Sequence, residues 1–471
     1  MKKILLGSFL MIIAVFASGQ TDWHRVTGQW LGMLNLGMAK LNIGLIVSDS
    51  SGTLKATLLS PDQGAMNIRV DSALFANNTL KVVSKEISAV FEGKINDRND
   101  SLIGYFSQGR KFPLLLGRVE KIPGLTRPQE PQRPYTYLEE EVTFMNEKAG
   151  IALSGTLTLP SSGSNFAAVV LVTGSGPQNR DEELLGHKPF LVIADYLTRN
   201  GIAVLRYDDR GTAKSKGVFA TATSADFADD AEAAMNFLKT DTRIDSKNIG
   251  IIGHSEGGLI AQMIAARNRE VAFIVTLAGP GLKGEDLLLL QSELIARADS
   301  IPENEIAANT KINKKLYKIA RVEKDDKKAT EKMRKLIDDY WKTLSQESIK
   351  SNHLEKKTLI QSVYQVITPW FRYFIAYNPS AALKKIYCPV LALNGSKDLQ
   401  VPSSQNLNAI ERNLKKAGNS NYTIKEFAGL NHLFQHCATG SPSEYLHIEE
   451  TFSPEVLDFM TQWIKTFNAG K

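Results

Sequence analysis

The run IIGHSEGGLIAQMIAA, Ile251 to Ala266, constrains this chain more than any other stretch, because it joins a buried strand to a helix through a serine flanked by glycines. Its apolar opening ends at Gly253, and Leu259, Ile260 and Ile264 then recur at helical spacing. Glycines at 253 and 257 relieve the crowding of so tight a turn, while the helix start leaves backbone N–H groups unpaired beside Ser255. The G-x-S-x-G pattern alone is common and can mark a mere turn. With a strand before it and a helix after it, the pattern marks Ser255 as a candidate nucleophile.

A hydroxyl is a weak nucleophile until a base takes its proton and an acid holds that base in the right tautomer. Downstream, PVLALNGSKDLQVP reads as a strand with Asp398 in its exit loop, and NYTIKEFAGLNHLFQ as another strand with His432 in the next loop. Strand exits are where an open parallel sheet gathers its site. Asp398 and His432 are therefore the expected charge partner and base. Two histidines compete: His436 lies four residues on, but the entrance Gly429-Leu430-Asn431 favours His432; His254 adjoins the serine, but the turn should direct it into packing beneath the site. An ordinary loop aspartate binding backbone N–H groups is the other reading of Asp398.

The surrounding pattern is α/β. AAVVLVTG, GIAVLRYDD, NIGIIG and AFIVTLAG are short apolar strands separated by helical segments, with Phe190, Leu191, Ala194 and Leu197 on one helix face and Phe227, Ala231, Ala234, Met235 and Leu238 on another. EEEVTFM and IALSGTLTLP read as a leading hairpin, and Thr223 with Asp226 as a capping box. The first apolar strand breaks into Gly174-Ser175-Gly176-Pro177 and then Arg180-Asp181-Glu182-Glu183. No Gly-Lys-Ser/Thr or dinucleotide pattern follows, so a phosphate cradle is disfavoured. The backbone N–H groups of Ser175 and Gly176, with that of Glu256, are instead the expected oxyanion donors. The charged tail reads as a salt-bridged loop or an entrance for a charged group. Asp208 and Arg210 read as loop anchors.

Residues 284–379 interrupt this alternation with charged helices, expected as a cap; Met333, Ile337, Tyr340, Trp341 and Leu344 mark one face. Trp370, Phe371, Tyr373 and Phe374 either line a pocket or glue the cap to the sheet. The formal charge of +6 is matched by residues 311–350, with 13 Lys or Arg and 7 Asp or Glu, so it is local and interleaved with acids. That is a solvated helical face, and nucleic acid is not an expected partner.

Before this domain, residues 20–120 carry roughly eight short alternating runs, as for a small all-β barrel-like or sandwich domain. Trp23 and Trp30 read as its core or end packing. The proline-rich stretch 121–135 reads as a linker, and 136–471 as the catalytic domain. Met1-Lys2-Lys3, the apolar run to Phe16 and small residues to Gly19 read as a signal peptide over 1–19, implying a secreted or periplasmic chain with no stable membrane insertion after cleavage. Cys388 and Cys437 read as separate thiols or one bridge; no metal-ligand spacing appears, so neither metal nor cofactor is expected.

The set Gly253-His254-Ser255-Glu256-Gly257-Gly258, Asp398 and His432 resembles the α/β-hydrolase superfamily. Gly174-Ser175-Gly176-Pro177-Gln178, Arg180-Asp181 and Tyr207-Asp208-Asp209-Arg210-Gly211 resemble its serine aminopeptidase-like and bacterial carboxylesterase branch, over about Glu139 to Phe467. Thr173 precedes the glycine loop where many relatives place histidine. The resemblance implies an α/β-hydrolase fold with a helical cap insertion and a serine hydrolase acting on short or medium acyl esters, a small-molecule substrate. A peptidase or amidase, and a non-catalytic envelope binding protein on the same scaffold, are the alternatives.

Overall fold

The computed structural model describes residues 22–467 apart from 36–39, 51–52, 64, 123–126, 345, 347–348 and 350–355. The expected signal segment 1–19 lies outside the described residues. The chain divides into two compact units, Met1–Gly124 and Leu125–Lys471.

In the first unit, strands β1 (Gly28–Asn35), β2 (Lys40–Asp49), β3 (Leu54–Ser60), β4 (Ala65–Arg69), β5 (Ser72–Ala76), β6 (Thr79–Ser84), β7 (Ala89–Ile95), β8 (Ser101–Gln108) and β9 (Arg110–Val119) form one curled antiparallel sheet. Its order, β4-β3-β2-β1-β9-β8-β7-β6-β5, leaves β4 and β5 as its edges. The two-residue turn Asn77-Asn78, with φ of 50° and 59°, joins β5 to β6 in a tight hairpin, and the described residues of this unit hold nine strands where the sequence suggests roughly eight. Alternation sets the core: in β7, Ala89, Phe91 and Ile95 point inward with Leu80, Leu102 and Leu116. Trp30 is fully buried, donates Nε1–H to Val26 O at 2.8 Å and lies under Arg118, so it packs as core.

The second unit is a sheet of β10 (Leu138–Asn146), β11 (Ile151–Leu159), β12 (Phe166–Val172), β13 (Ala203–Tyr207), β14 (Ile244–His254), β15 (Ile274–Leu277), β16 (Val390–Gly395) and β17 (Tyr422–Phe427), ordered β10-β11-β13-β12-β14-β15-β16-β17. The β10–β11 hairpin is antiparallel, β11 meets β13 antiparallel, and β13 to β17 run parallel. Around it lie α1 (Pro189–Arg199), α2 (Ser224–Leu238), α3 (Glu256–Arg267), α4 (Gly284–Ala298), α5 (Glu303–Val322), α6 (Asp326–Trp341), α7 (Lys356–Val366), α8 (Pro369–Ala376), α9 (Ser380–Leu383), α10 (Ser403–Lys416) and α11 (Pro454–Lys465). Side chains alternate through the sheet: Ala168 and Val170 pack with α2, α3 and α10, while Val169 and Leu171 pack with α1 and α11. Each face thus has its own core. Thr223 and Asp226 form the expected capping box at the start of α2.

Helices α4 to α8 occupy the inserted stretch and share a core of Leu289, Tyr317, Met333, Ile337, Val363 and Ile375. The buried face of α6 runs through Ala329, Met333 and Ile337. Trp341 and Leu344 lie outside that core, because the helix ends at Trp341 and its apolar stripe sits one turn earlier than the sequence pattern indicates. Cys388 and Cys437 are separate thiols. Among the described residues, no helix is long and apolar enough to cross a membrane.

The sheet order reverses at β12, whose neighbours are β13 and β14. Loops leaving the carboxyl ends of β12 and β14 therefore open side by side, the place where an α/β sheet holds its ligands.

Candidate active site

Strand β14 ends at His254 and α3 starts at Glu256, so Ser255 alone makes the turn. Its backbone, at φ 52° and ψ −117°, lies in a region that costs about 1–3 kcal/mol and persists only where neighbours fix it. Ser255 N–H donates to Leu277 O at 2.8 Å, and Ser255 O accepts from Gly258 N–H at 2.9 Å. A Cβ on Gly253 would stand 2.0 Å from Gly257 O, and one on Gly257 would stand 2.0 Å from Val172 O. Gly257→Ala should therefore destabilise the fold by about 3 kcal/mol. Its denaturant midpoint checks this, and a loss under about 1 kcal/mol would contradict the steric reading.

His432 and Asp398 are brought together from the loops after β17 and β16, Nδ1 to Oδ2 at 2.8 Å, both buried. The other oxygen of Asp398 accepts N–H groups from Gln400 and Val401, both at 2.8 Å. Asp398 thus binds backbone N–H groups and the histidine at once. With the proton on Nδ1, Nε2 of His432 is left to accept one. Among the described residues Ser255 Oγ makes no hydrogen bond to His432, although both line one cleft; such contacts tighten when substrate closes the site. His436 is exposed and paired with Glu450, away from this group.

The loop after β12 comes close to the serine. Val172 pairs with Gly253, and a Cβ on Gly174 would lie 3.3 Å from Ser255 Cβ. Gly174 N–H is taken by Glu182 Oε1 at 2.7 Å. Among the described residues, the N–H groups of Ser175, Gly176 and Glu256 have no such acceptor.

A family model described as serine aminopeptidase, S33, matches residues 188–436, just over half of the chain. The chain belongs to this family, within the α/β-hydrolase superfamily. Esterase EstD of Thermotoga maritima is 30% identical over 213 residues, covering 45% of this chain and 46% of that protein, so the match spans about half of its relative. Among solved structures, the Pyrococcus furiosus esterase Pf2001 aligns with a TM-score of 0.41 at 17% identity, over 70% of this chain and 93% of that one. Est1E from Butyrivibrio proteoclasticus, solved with ferulic acid, aligns with a TM-score of 0.39 at 15% identity, over 70% and 98%.

In this S33 hydrolase chain the opening loop is stapled from below. Buried Asp209 accepts from Thr173 Oγ1 at 2.8 Å and from Gln178 N–H at 2.9 Å, and burial raises its carboxyl to about 8. Sequence reading took only Asp208 and Arg210 as anchors, yet Asp209, in the same strand exit, holds the loop. Arg180 pairs with Asp208 and Glu141, Asp181 with Arg206, and, outside the tail, Arg210 with Asp230, so the first half of the charged tail is a salt-bridged frame. Glu182 differs from its neighbours. Its Oε1 also meets His254 Nδ1 at 2.9 Å, and His254 Nε2 meets the backbone oxygen of His432 at 3.0 Å. His254 is thus in the cleft wall, its ring 4.8 Å from that of His432, and not merely packed beneath; β14 extends through residue 254, so the strand's alternation turns its side chain toward the base loop.

Glu256 does two things. Its side chain is buried, which raises its pKa, and its Oε1 accepts from Ser224 at 2.6 Å and from Trp370 Nε1–H at 2.8 Å. The cap helix α8 is thereby tied to the serine turn. Trp370 and Phe374 stack at 5.3 Å and line the cleft of about 220 Å³ with Leu287 and Leu288. Phe371 packs in the cap core and Tyr373 stacks on Tyr377, so those two aromatics serve as glue.

Proposed function

We propose that this chain is a serine hydrolase that cleaves short or medium carboxylic esters through an acyl-enzyme. The observation that carries the reading is His432, held by buried Asp398, lining the same cleft as a strained Ser255 and as Ser175, whose backbone N–H is unspent. Ser255 Oγ attacks the ester carbonyl while His432 Nε2 takes its proton; Asp398 holds the ring and stabilises the imidazolium. Glu256 and the Ser175-Gly176 loop donate N–H bonds to the oxyanion, each worth about 3 kcal/mol of transition-state stabilisation. Collapse expels the alcohol, protonated by His432. Water, activated by the same ring, then releases the acid.

The chemistry of the cleft favours esters over free amino-terminal peptides. Among the described residues lining it, the acidic side chain is Glu182, whose Oε1 is already held by Gly174 and His254. A positively charged α-amino group would find there only a carboxylate already engaged through Oε1 with the opening loop and His254, whereas Leu287, Leu288, Trp370 and Phe374 suit an acyl or alcohol group. The expected outcome is covalent labelling by a fluorophosphonate, and higher kcat/KM for short p-nitrophenyl esters than for aminoacyl or prolyl naphthylamides. A folded sample that does not label ends the hydrolase reading; the reverse substrate order would make the chain a peptidase.

A further inference from the structure

His254 stands between two loops that the proposed reaction must keep in register. Its Nδ1 meets Glu182 Oε1, which also accepts Gly174 N–H, and its Nε2 meets the backbone oxygen of His432. A carbonyl oxygen can only accept, so Nε2 carries hydrogen. With Glu182 as a carboxylate, which only accepts, the proton of the second contact sits on Nδ1. In that arrangement both ring nitrogens donate and the ring is an imidazolium.

Resting on the hydrolase reading, we propose that His254 is a positioning residue, a buried cation that clips the oxyanion loop, through Glu182, to the backbone of the base His432. The connection is short and continuous: oxyanion loop, Gly174 N–H, Glu182, His254, His432 O. It also bears on the chemistry in a second way. A cation 4.8 Å from the His432 ring, centroid to centroid, opposes positive charge there, while Asp398 on the far nitrogen favours it. The titratable groups facing His254 are Glu182 from the opening loop, Asp398 from the β16 exit and His432 from the β17 exit.

Burial pulls the His254 pKa down, but Glu182, the His432 carbonyl and Asp398 outweigh it, and the net direction is up. A raised folded value means that the clip is complete below the ordinary histidine range and is lost as pH rises through the raised value. Glu182→Gln keeps an oxygen acceptor for both N–H groups and removes the charge that holds the second proton on the ring. The clip should then open at lower pH.

Two measurements test this. In the unaltered protein, nitrogen NMR at about pH 7 should find hydrogen on both ring nitrogens of His254; a neutral ring overturns the proposal. In Glu182→Gln, kcat for a p-nitrophenyl ester should be about tenfold below that of the unaltered enzyme at about pH 7 and should approach it again as pH is lowered, with KM changed less than about twofold. Parallel profiles would overturn it, because a merely structural contact would lower activity evenly or not at all. Asp209 staples the same loop and is present in both proteins, so its titration cancels in the comparison. Failure of the unaltered enzyme to label with fluorophosphonate would instead remove the hydrolase reading and the proposal with it, whatever the NMR result.

Discussion

Ser255→Ala should lower kcat/KM for a p-nitrophenyl ester by about 10⁵-fold or more and abolish fluorophosphonate labelling, while the protein stays folded. The large loss follows from the reaction having no second nucleophile once Oγ is gone. The retained fold follows from geometry: what holds residue 255 is its backbone, N–H to Leu277 and carbonyl to Gly258, and alanine keeps both bonds. Alanine also keeps the strain at φ 52°. Ser255→Gly relieves it, so the glycine variant should melt higher than the alanine variant, by a difference on the order of 1 kcal/mol in unfolding free energy. Equal stabilities would mean that the turn stores no strain. Equal turnover by Ser255→Ala and the unaltered enzyme would remove Ser255 from the chemistry.

Most of the site was legible because its residues stand where periodicity breaks. Ser255, Asp398 and His432 each follow an apolar strand, and strand exits can be read from composition alone. The Gly174 loop was legible for the same reason. The supporting groups were not. Glu182, eight residues beyond Gly174 and inside a charged run, looked like its neighbours Asp181 and Glu183, yet it alone turns inward to His254. Nothing in linear order says which of the three acids does so, because the contact joins this loop to the end of β14, with α1, β13 and α2 between them in the chain. Asp209 was hidden in the same way beside Asp208 and Arg210. The curled β unit was legible in kind, with nine strands where the sequence suggests roughly eight. For α6 the expected face lay one turn too late, since tertiary packing against α5 and α7, not propensity, chooses which end of a long amphipathic stripe is buried.

Asp398→Asn is the second large effect expected. The substitution nearly preserves shape, and its side-chain oxygen can still accept the N–H groups of Gln400 and Val401, so the loop after β16 should hold. What changes is the atom facing His432. An amide N–H now meets Nδ1, which must accept in place of donating, and the ring proton moves to Nε2. That nitrogen can no longer take a proton from Ser255. The expected result is a fall of about 10⁴-fold in kcat with KM little changed and the melting temperature close to that of the unaltered protein. A variant within tenfold of full activity would show that another group supplies the charge, and the reassignment would fall first on Glu182, the other carboxylate within this pair of histidines. If instead both Asp398→Asn and Ser255→Ala abolish turnover while Glu182→Gln loses only about tenfold near pH 7, the two acid–histidine pairs have separate duties: one moves the proton, and the other keeps the loops aligned while it moves.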